Sequence, residues 1–238
     1  MCSFKLKIAK SLTLKRTTFK GEGRSDGNLF KADWLKITTA EHDAKRGERK
    51  GHIVQSWDTA IKTGSTNDYS VCITARIWRK EVHILYVWRG HVEFPDLVKK
   101  AVSLGRTFDA RTMLVEDKAS GSQLIQTLRD GNEPRVPNPI ARNPEADKFT
   151  RAAGVSSMVE AGQLYLPEEA HWLADFKKEL LAFPSSRHDD QVDALSQLLE
   201  WARTHARRAR VSTIGPVLFW VNDDGKFCSS DGRGTLFN

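Results

Sequence analysis

Cysteine is scarce in this 238-residue chain, which carries only Cys2, Cys72 and Cys228. Three scattered cysteines cannot build a disulfide framework, and no CxxC or Cys/His cluster offers a zinc site. A bound metal would therefore need oxygen ligands. Long apolar runs are missing too, and no segment approaches the ~20 residues that span a bilayer. Residues Met1 to Lys10 set lysines among isolated apolar residues, without the continuous apolar stretch and small-residue cleavage site of a secretory signal. The expectation is a protein of the cytoplasm that touches no membrane. There is no GxxxxGK(S/T) phosphate loop, and the glycines of GEGRSDGN do not supply one, so no ATP site is expected. No internal repeat is visible.

What the chain does contain is a composition of 39% hydrophobic and 28% charged residues with 8 prolines, which describes a globular domain. Its length suits one α/β domain with arms. Lys and Arg number 37 against 30 Asp and Glu, a net charge of +7. Such an excess favours a polyanionic partner, because a basic surface gains affinity by releasing counterions from nucleic acid.

Three regions follow from the pattern. Residues 1–28 are rich in Lys, Arg, Ser, Thr and Gly without period and read as a basic, flexible arm. Residues 29–204 read as the folded domain, and residues 205–238 as a basic tail beginning HARRAR. The segment Leu29 to Ile37 is a short amphipathic piece leading into the domain. Ile53 to Thr59 is an apolar run ending at Asp58, which fits a buried strand with a carboxylate at its C-terminal end. Val71 to Ile77 and Val82 to Trp88 alternate around the Arg79-Lys80 link, so three strands open the domain as an antiparallel meander.

Pro95 then suits a first helical turn, with Leu97, Val98, Ala101 and Leu104 at helical spacing. Thr112 to Val115 is a compact strand delivering Glu116 and Asp117, and Ser120 can cap a helix to about Arg129. Asp147 can cap another helix through Glu160, ended by Gly162 before a strand at Leu164 to Leu166. A helix from about Glu168 to Ala182 and a last one from about His188 to Thr204 complete the order. That sequence of elements predicts an α/β fold of RNase H-like type, a mixed sheet flanked by helices.

Acidic residues fall where this topology would gather them. Asp58 ends the first strand, Glu116 ends the fourth, and Asp189, Asp190 and Asp193 begin the last helix. If the first and fourth strands are neighbours, two carboxylates stand side by side. Asp190 and Asp193 are i and i+3 on the helix, whereas Val192, Leu195, Leu199 and Ala202 form the arc that would dock it on the sheet. Crowded carboxylates repel one another, and a hard divalent cation such as Mg²⁺ or Mn²⁺ offsets that cost. Two such ions about 3.5–4 Å apart can activate water and stabilise the leaving oxygen in phosphodiester hydrolysis. Taken singly, each station has a plainer reading: a strand-end turn for Asp58, complementation of the helix dipole for the acids from Asp189 onward, and solvated loops for Asp68 and Asp117.

The wording of WDTAIKTGSTNDYSV, LVEDKASGSQLIQTLR, DKFTRA, LYLP and FPSSRHDDQVDALSQLLEWA, preceded by GNLFKADWLKI, resembles the successive motifs of the nuclease domain of bacteriophage terminase large subunits. The resemblance covers roughly residues 28–204. It implies an RNase H-like endonuclease that cuts concatemeric double-stranded phage DNA during packaging, in a bacterial host, with two Mg²⁺ or Mn²⁺ ions. It makes Asp58, Glu116 and Asp193 catalytic, adds Asp190 to the metal ligands, and offers Lys62, Lys118, Lys148 and Arg151 as phosphate contacts. Implied partners are a separate terminase ATPase chain, docking near Leu29 to Ile37, the terminase small subunit and the portal. Because the packaging ATPase of such subunits has no counterpart here, half of a split terminase or a prophage remnant is expected. Another RNase H-like DNA nuclease, such as a junction resolvase or transposase domain, would use the same acids. A non-catalytic DNA-binding or portal-docking remnant would keep them without turnover.

Overall fold

A computed structural model of the chain describes residues 28–38, 51–60, 69–208, 219–221 and 227–229. Of the expected arm at residues 1–28 all but Asn28, together with Lys62, Asp68 and most of the tail, lie outside the described residues.

Seven strands form one sheet: β1 (Lys36–Thr38), β2 (His52–Asp58), β3 (Ser70–Trp78), β4 (Glu81–Gly90), β5 (Thr112–Glu116), β6 (Pro139–Arg142) and β7 (Leu164–Pro167). Their spatial order is β1-β7-β4-β3-β2-β5-β6. The meander β2-β3-β4 is antiparallel, whereas β2-β5, β5-β6, β4-β7 and β7-β1 pair in parallel. β3 therefore runs against the other six, and the C-terminal ends of β2, β4 and β5 reach the same edge of the sheet. Five helices flank it: α1 (Phe94–Thr107), α2 (Ser120–Gly131), α3 (Lys148–Glu160), α4 (Leu173–Ala182) and α5 (Asp190–Arg208). Two further strands, β8 (Phe219–Val221) and β9 (Phe227–Ser229), pair antiparallel within the stretch expected to be tail.

The two faces of the sheet bury different helices, as period-2 alternation requires. Val54, Val71, Ile73, Ala75, Val82 and Leu114 pack with α3, α4 and α5. Trp57, Cys72, Met113 and Val115 pack with Leu97, Ala101 and Leu104 of α1 and Leu124, Ile125 and Leu128 of α2. A central strand covered on both sides loses the apolar-polar alternation of a half-exposed one, which is why Ser70 to Ala75 is buried at every residue. On α5 the arc Val192, Leu195, Leu199 and Ala202 is fully inside, and the helix docks on β2 and β3 as its sequence anticipates.

Several boundaries differ from those expected. Ser120 does not cap α2; that position belongs to Ala119, at φ +41°, while Ser120 is the first helical residue and its hydroxyl turns to Thr59. The helix expected from Glu168 begins at Leu173, and the last helix runs from Asp190 to Arg208 rather than from His188 to Thr204. The Leu29 to Ile37 piece splits into a short 3-10 turn (Ala32–Trp34) and β1. This segment is clipped to the end of α4 by Asn28 Nδ2 donating to Leu181 O at 2.5 Å and Leu29 N to Phe183 O at 3.1 Å, with Phe30 buried. β6 was not anticipated. Other expectations hold: Asp147 accepts from Thr150 N at 3.0 Å as the cap of α3, and Gly162, at φ +67°, turns the chain out of that helix. No helix among the described residues is long and apolar enough to cross a membrane.

Candidate active site

The parallel register of β2 and β5 ends at Trp57 opposite Val115, so Asp58 and Glu116 follow as the next residues of each strand. Val54 and Leu114 face α5, and residues two and four further along keep that face, so Asp58 and Glu116 both point toward the helix. Ser56, on the same face, confirms the direction: its hydroxyl donates to Ala194 O at 2.8 Å, beside Asp193. Gln197 Nε2 donates to Ser56 Oγ at 2.9 Å and Trp57 O at 3.3 Å, stitching α5 to β2 one turn beyond Asp193. At the other end of the motif Ser120 Oγ donates to Thr59 O at 2.8 Å, tying the chain after Asp58 to the start of α2. A Cβ on Gly121 would lie 1.8 Å from Glu116 O, so only glycine lets α2 start this close to the end of β5.

The acids are crowded, and two of them are buried while Asp58 and Asp190 are partly exposed. Glu116 is 8% exposed and Asp193 4%. Burial pushes the Asp58 carboxyl well above the usual carboxylate range, and the charges of Glu116, Asp193 and Asp190 push the same way against Lys148. Burial also raises Asp193, opposed by the hydrogen bond from Lys148 and the charge of Arg151. Asp190 opens α5 and acts electrostatically on Asp58 and on Glu179.

Basic side chains counter that charge from three sides. Arg151 of α3, itself largely buried, spans two acids, with NH2 2.8 Å from Asp193 Oδ1 and NH1 3.7 Å from Glu116 Oε2. Lys148, one turn earlier, reaches Asp189 Oδ1 at 2.6 Å and Asp193 Oδ2 at 2.8 Å. Burial alone would pull the Lys148 ammonium down, but those hydrogen bonds and charges outweigh it and hold it above its ordinary value. Lys118 Nζ lies 2.6 Å from Glu116 Oε1, on a side chain that is mostly exposed. The structure thus brings Asp58, Glu116, Asp190, Asp193, Lys118, Lys148 and Arg151 together. Asp117 stands apart and accepts from Ser122 Oγ.

The donor set suits a hard cation in kind, being carboxylate oxygen throughout and crowded enough to resist ionisation. Among the described residues, however, no three acidic, histidine or cysteine side chains are grouped as a ready-made metal cage. The compensating positive charge comes from Arg151, Lys148 and Lys118. Loading a divalent ion would require these ion pairs to open.

The family described as the terminase RNase H-like domain matches residues 55–201, which contain every one of these residues. The chain belongs to that family. Solved structures agree on the fold. The large terminase nuclease from thermophilic phage G20c with bound magnesium is 18% identical over 73% of this chain and 96% of its own, at a TM-score of 0.52. The same nuclease with bound cobalt superposes at 0.54 with 16% identity, over the same shares. A large terminase from another thermophilic bacteriophage, in complex with ATP-gamma-S, is 9% identical at a TM-score of 0.52, over 72% of this chain and 44% of its own. No curated protein matches the sequence.

Some of this terminase-family site escapes a sequence reading. Gln197 and Ser56 tie α5 to β2 beside Asp193. A signal for both exists in retrospect: Gln197 is a polar residue within the buried surface of α5, four residues after Asp193, and Ser56 shares the strand face of Asp58. Glu179, buried on α4, accepts from Gln191 N at 2.7 Å and Gln191 Nε2 at 2.6 Å and so pins the first turn of α5, with nothing in its sequence context to announce it.

Proposed function

We propose that the chain is a divalent-metal-dependent endonuclease that hydrolyses double-stranded DNA during phage genome packaging. The observation that carries the reading is the meeting of Asp58, Glu116, Asp190 and Asp193 at one sheet edge, on a domain of the terminase nuclease family with a net charge of +7. Asp58, Glu116 and Asp193, with Asp190, would hold Mg²⁺ or Mn²⁺, in the two-ion arrangement that suits phosphodiester cleavage. When bound, the ions supply positive charge to the scissile phosphate and lower the pKa of the attacking water. The protein's own part is to fix the acids through Ser56, Gln197 and Glu179 and to keep Glu116 and Asp193 from bulk water. Lys148 and Lys118, once released from the acids, can meet the DNA backbone; Lys62 is proposed for the same role. Cutting needs no ATP, because hydrolysis of the backbone requires only activated water and a stabilised leaving oxygen. Coupling to packaging would come through an ATPase, a small subunit and the portal.

Incubating purified protein with supercoiled plasmid in Mg²⁺, Mn²⁺ or chelator tests this reading. Nicking and linearisation are expected with either metal, abolished by chelator and lowered by orders of magnitude in Asp58→Asn. Metal-independent cleavage, or an active Asp58→Asn, would overturn it. One observation favours a second reading, a non-catalytic DNA-binding module: the acids are already neutralised by Lys118, Lys148 and Arg151. DNA binding with no cleavage in either metal would select it.

A further inference from the structure

Beside the acids, on the same sheet edge, a groove of about 450 Å³ opens between the end of β4, the outer face of α4 and the loop before α5. Its lining includes Arg89, Lys178, Glu179, Ser186, Arg187 and His188, and none of these has a role in holding the acid cluster together except Glu179.

Arg89 is fixed in place but not saturated. Its guanidinium lies 3.7 Å over the ring of Tyr69, and NH1 is 3.5 Å from Glu179 Oε2. Both oxygens of Glu179 already accept from Gln191, so the carboxylate anchors Arg89 mainly by charge. Nε and NH2 of Arg89 are buried and have no hydrogen-bond partner among the described residues, and neither does the hydroxyl of Ser186 in the same lining. Buried donors left without acceptors are costly and uncommon in native proteins, and an oxyanion is one acceptor that can satisfy them. A planar guanidinium held on an aromatic face is also the residue best suited to phosphate. Tyr69 in turn packs against His91 at 3.7 Å and meets His188 edge-on at 5.3 Å, so the platform under Arg89 is rigid. Lys178 and Arg187, both exposed, add charge at the mouth, so that with Arg89 three cations face Asp175 and Glu179 there.

The groove is also close to the chemistry. His188 precedes Asp190 by two residues, a reach of at most roughly 7 Å along the chain. One strand of a duplex presents a phosphate about every 3.4 Å of axis. We infer that this groove is an anion subsite for a backbone phosphate of the DNA strand, one or two nucleotides from the cleaved bond, with Arg89 as its principal ligand and Ser186, Arg187 and Lys178 around it. The inference rests on the nuclease reading for its position, though not for its chemistry. Its effect would be to set the register of the strand against the acids.

The test is binding of a fluorescein-labelled duplex, followed by anisotropy in chelator so that no cutting occurs, for the wild-type protein, Arg89→Gln and Arg187→Gln. Arg187 is exposed, so its variant leaves the fold intact and keeps the test meaningful if Arg89→Gln is misfolded by circular dichroism. Each variant is expected to weaken binding by about 10-fold and to lower the slope of log K against log salt by about one, as for one lost phosphate contact. A set of duplexes with one neutral methylphosphonate linkage, walked along the strand, should weaken the wild type at one position and leave Arg89→Gln indifferent there. Unchanged affinity and slope in folded Arg89→Gln, or in Arg187→Gln, would overturn the subsite even if the protein cuts plasmid. A protein that never cuts but shows these binding losses would keep the subsite and remove the nuclease reading.

Discussion

Replacing Arg151 by methionine keeps most of the side-chain bulk and removes the charge that joins Glu116 to Asp193. The three side chains are 11%, 10% and 4% exposed, so their pairing is screened little by water. Breaking a buried ion pair by removing one partner costs about 3–5 kcal/mol. Lys118 still reaches Glu116 and Lys148 still reaches Asp193, so the loss here should fall at about 2–3 kcal/mol. Against a typical stability of about 5–15 kcal/mol the variant remains folded. At the proposed metal site the same guanidinium would have to yield before a divalent cation joined these acids, so its removal should tighten metal binding. A tenfold gain in affinity is worth about 1.4 kcal/mol at saturating ion, and Mn²⁺ at 100 times its dissociation constant stabilises a protein by about 2.7 kcal/mol. Urea unfolding followed by tryptophan fluorescence, in chelator and in Mn²⁺, measures both effects. The gap between wild type and Arg151→Met should shrink by about 1–1.5 kcal/mol when Mn²⁺ replaces chelator. An equal gap in both media would show that Arg151 does not compete with metal and would refute this account of the site.

Four further outcomes follow from the same geometry. Asp58→Asn removes a charge that burial and its acidic neighbours disfavour, so it should raise the melting temperature in chelator at neutral pH while abolishing cleavage. The pH dependence has a definite sign: carboxyls raised in the folded state, as in Asp58, Asp193 and Glu179, lose stability as pH climbs from the unfolded value near 4 through the raised folded one. In chelator the melting temperature should therefore fall across that window, by less in Asp58→Asn, whereas Mn²⁺ affinity measured by calorimetry should rise with pH. Gln197→Leu leaves Ser56 Oγ and Trp57 O short of a donor, costing about 1–3 kcal/mol in a urea titration. Gly121→Ala sets a methyl against Glu116 O, so about 1–3 kcal/mol of overpacking should appear together with a fall in cleavage, because the strand end bearing Glu116 must move.

Much of the architecture was legible because it rests on period and punctuation. The alternation at Val71 to Ile77 and Val82 to Trp88, the Asp147 cap, the turn at Gly162 and the apolar arc of α5 each have a local cause, and each appears as expected. β6 does not announce itself: Pro139 to Arg142 has one buried residue, at Pro139, and an exposed Ile140, and it is a strand because β5 offers it a parallel edge. Ser120 shows how a residue with the right local chemistry can be claimed by a tertiary partner. Its hydroxyl could have capped a helix, but a bond to Thr59 O across the sheet edge takes it instead, and Ala119 is left at positive φ at the cap.

The site divides along the same line. Strand ends and the first turn of a helix are sequence landmarks, so the acids could be named; what neutralises them could not be foreseen, because Lys148 and Arg151 lie on a helix that only the fold brings over α5. On an isolated helix these two would be solvated surface cations. Here Arg151 is almost as buried as the carboxylates it joins, and it needs them as much as they need it. The guanidinium between Glu116 and Asp193, with Lys148 and Lys118, offsets the mutual repulsion of the acids in the absence of any ion. The same residue then cannot be a permanent ligand of the acids and a permanent contact of DNA. If metal takes its place, Arg151 is released at the sheet edge where a phosphate would stand, so that metal loading and the presentation of positive charge to the substrate become one event.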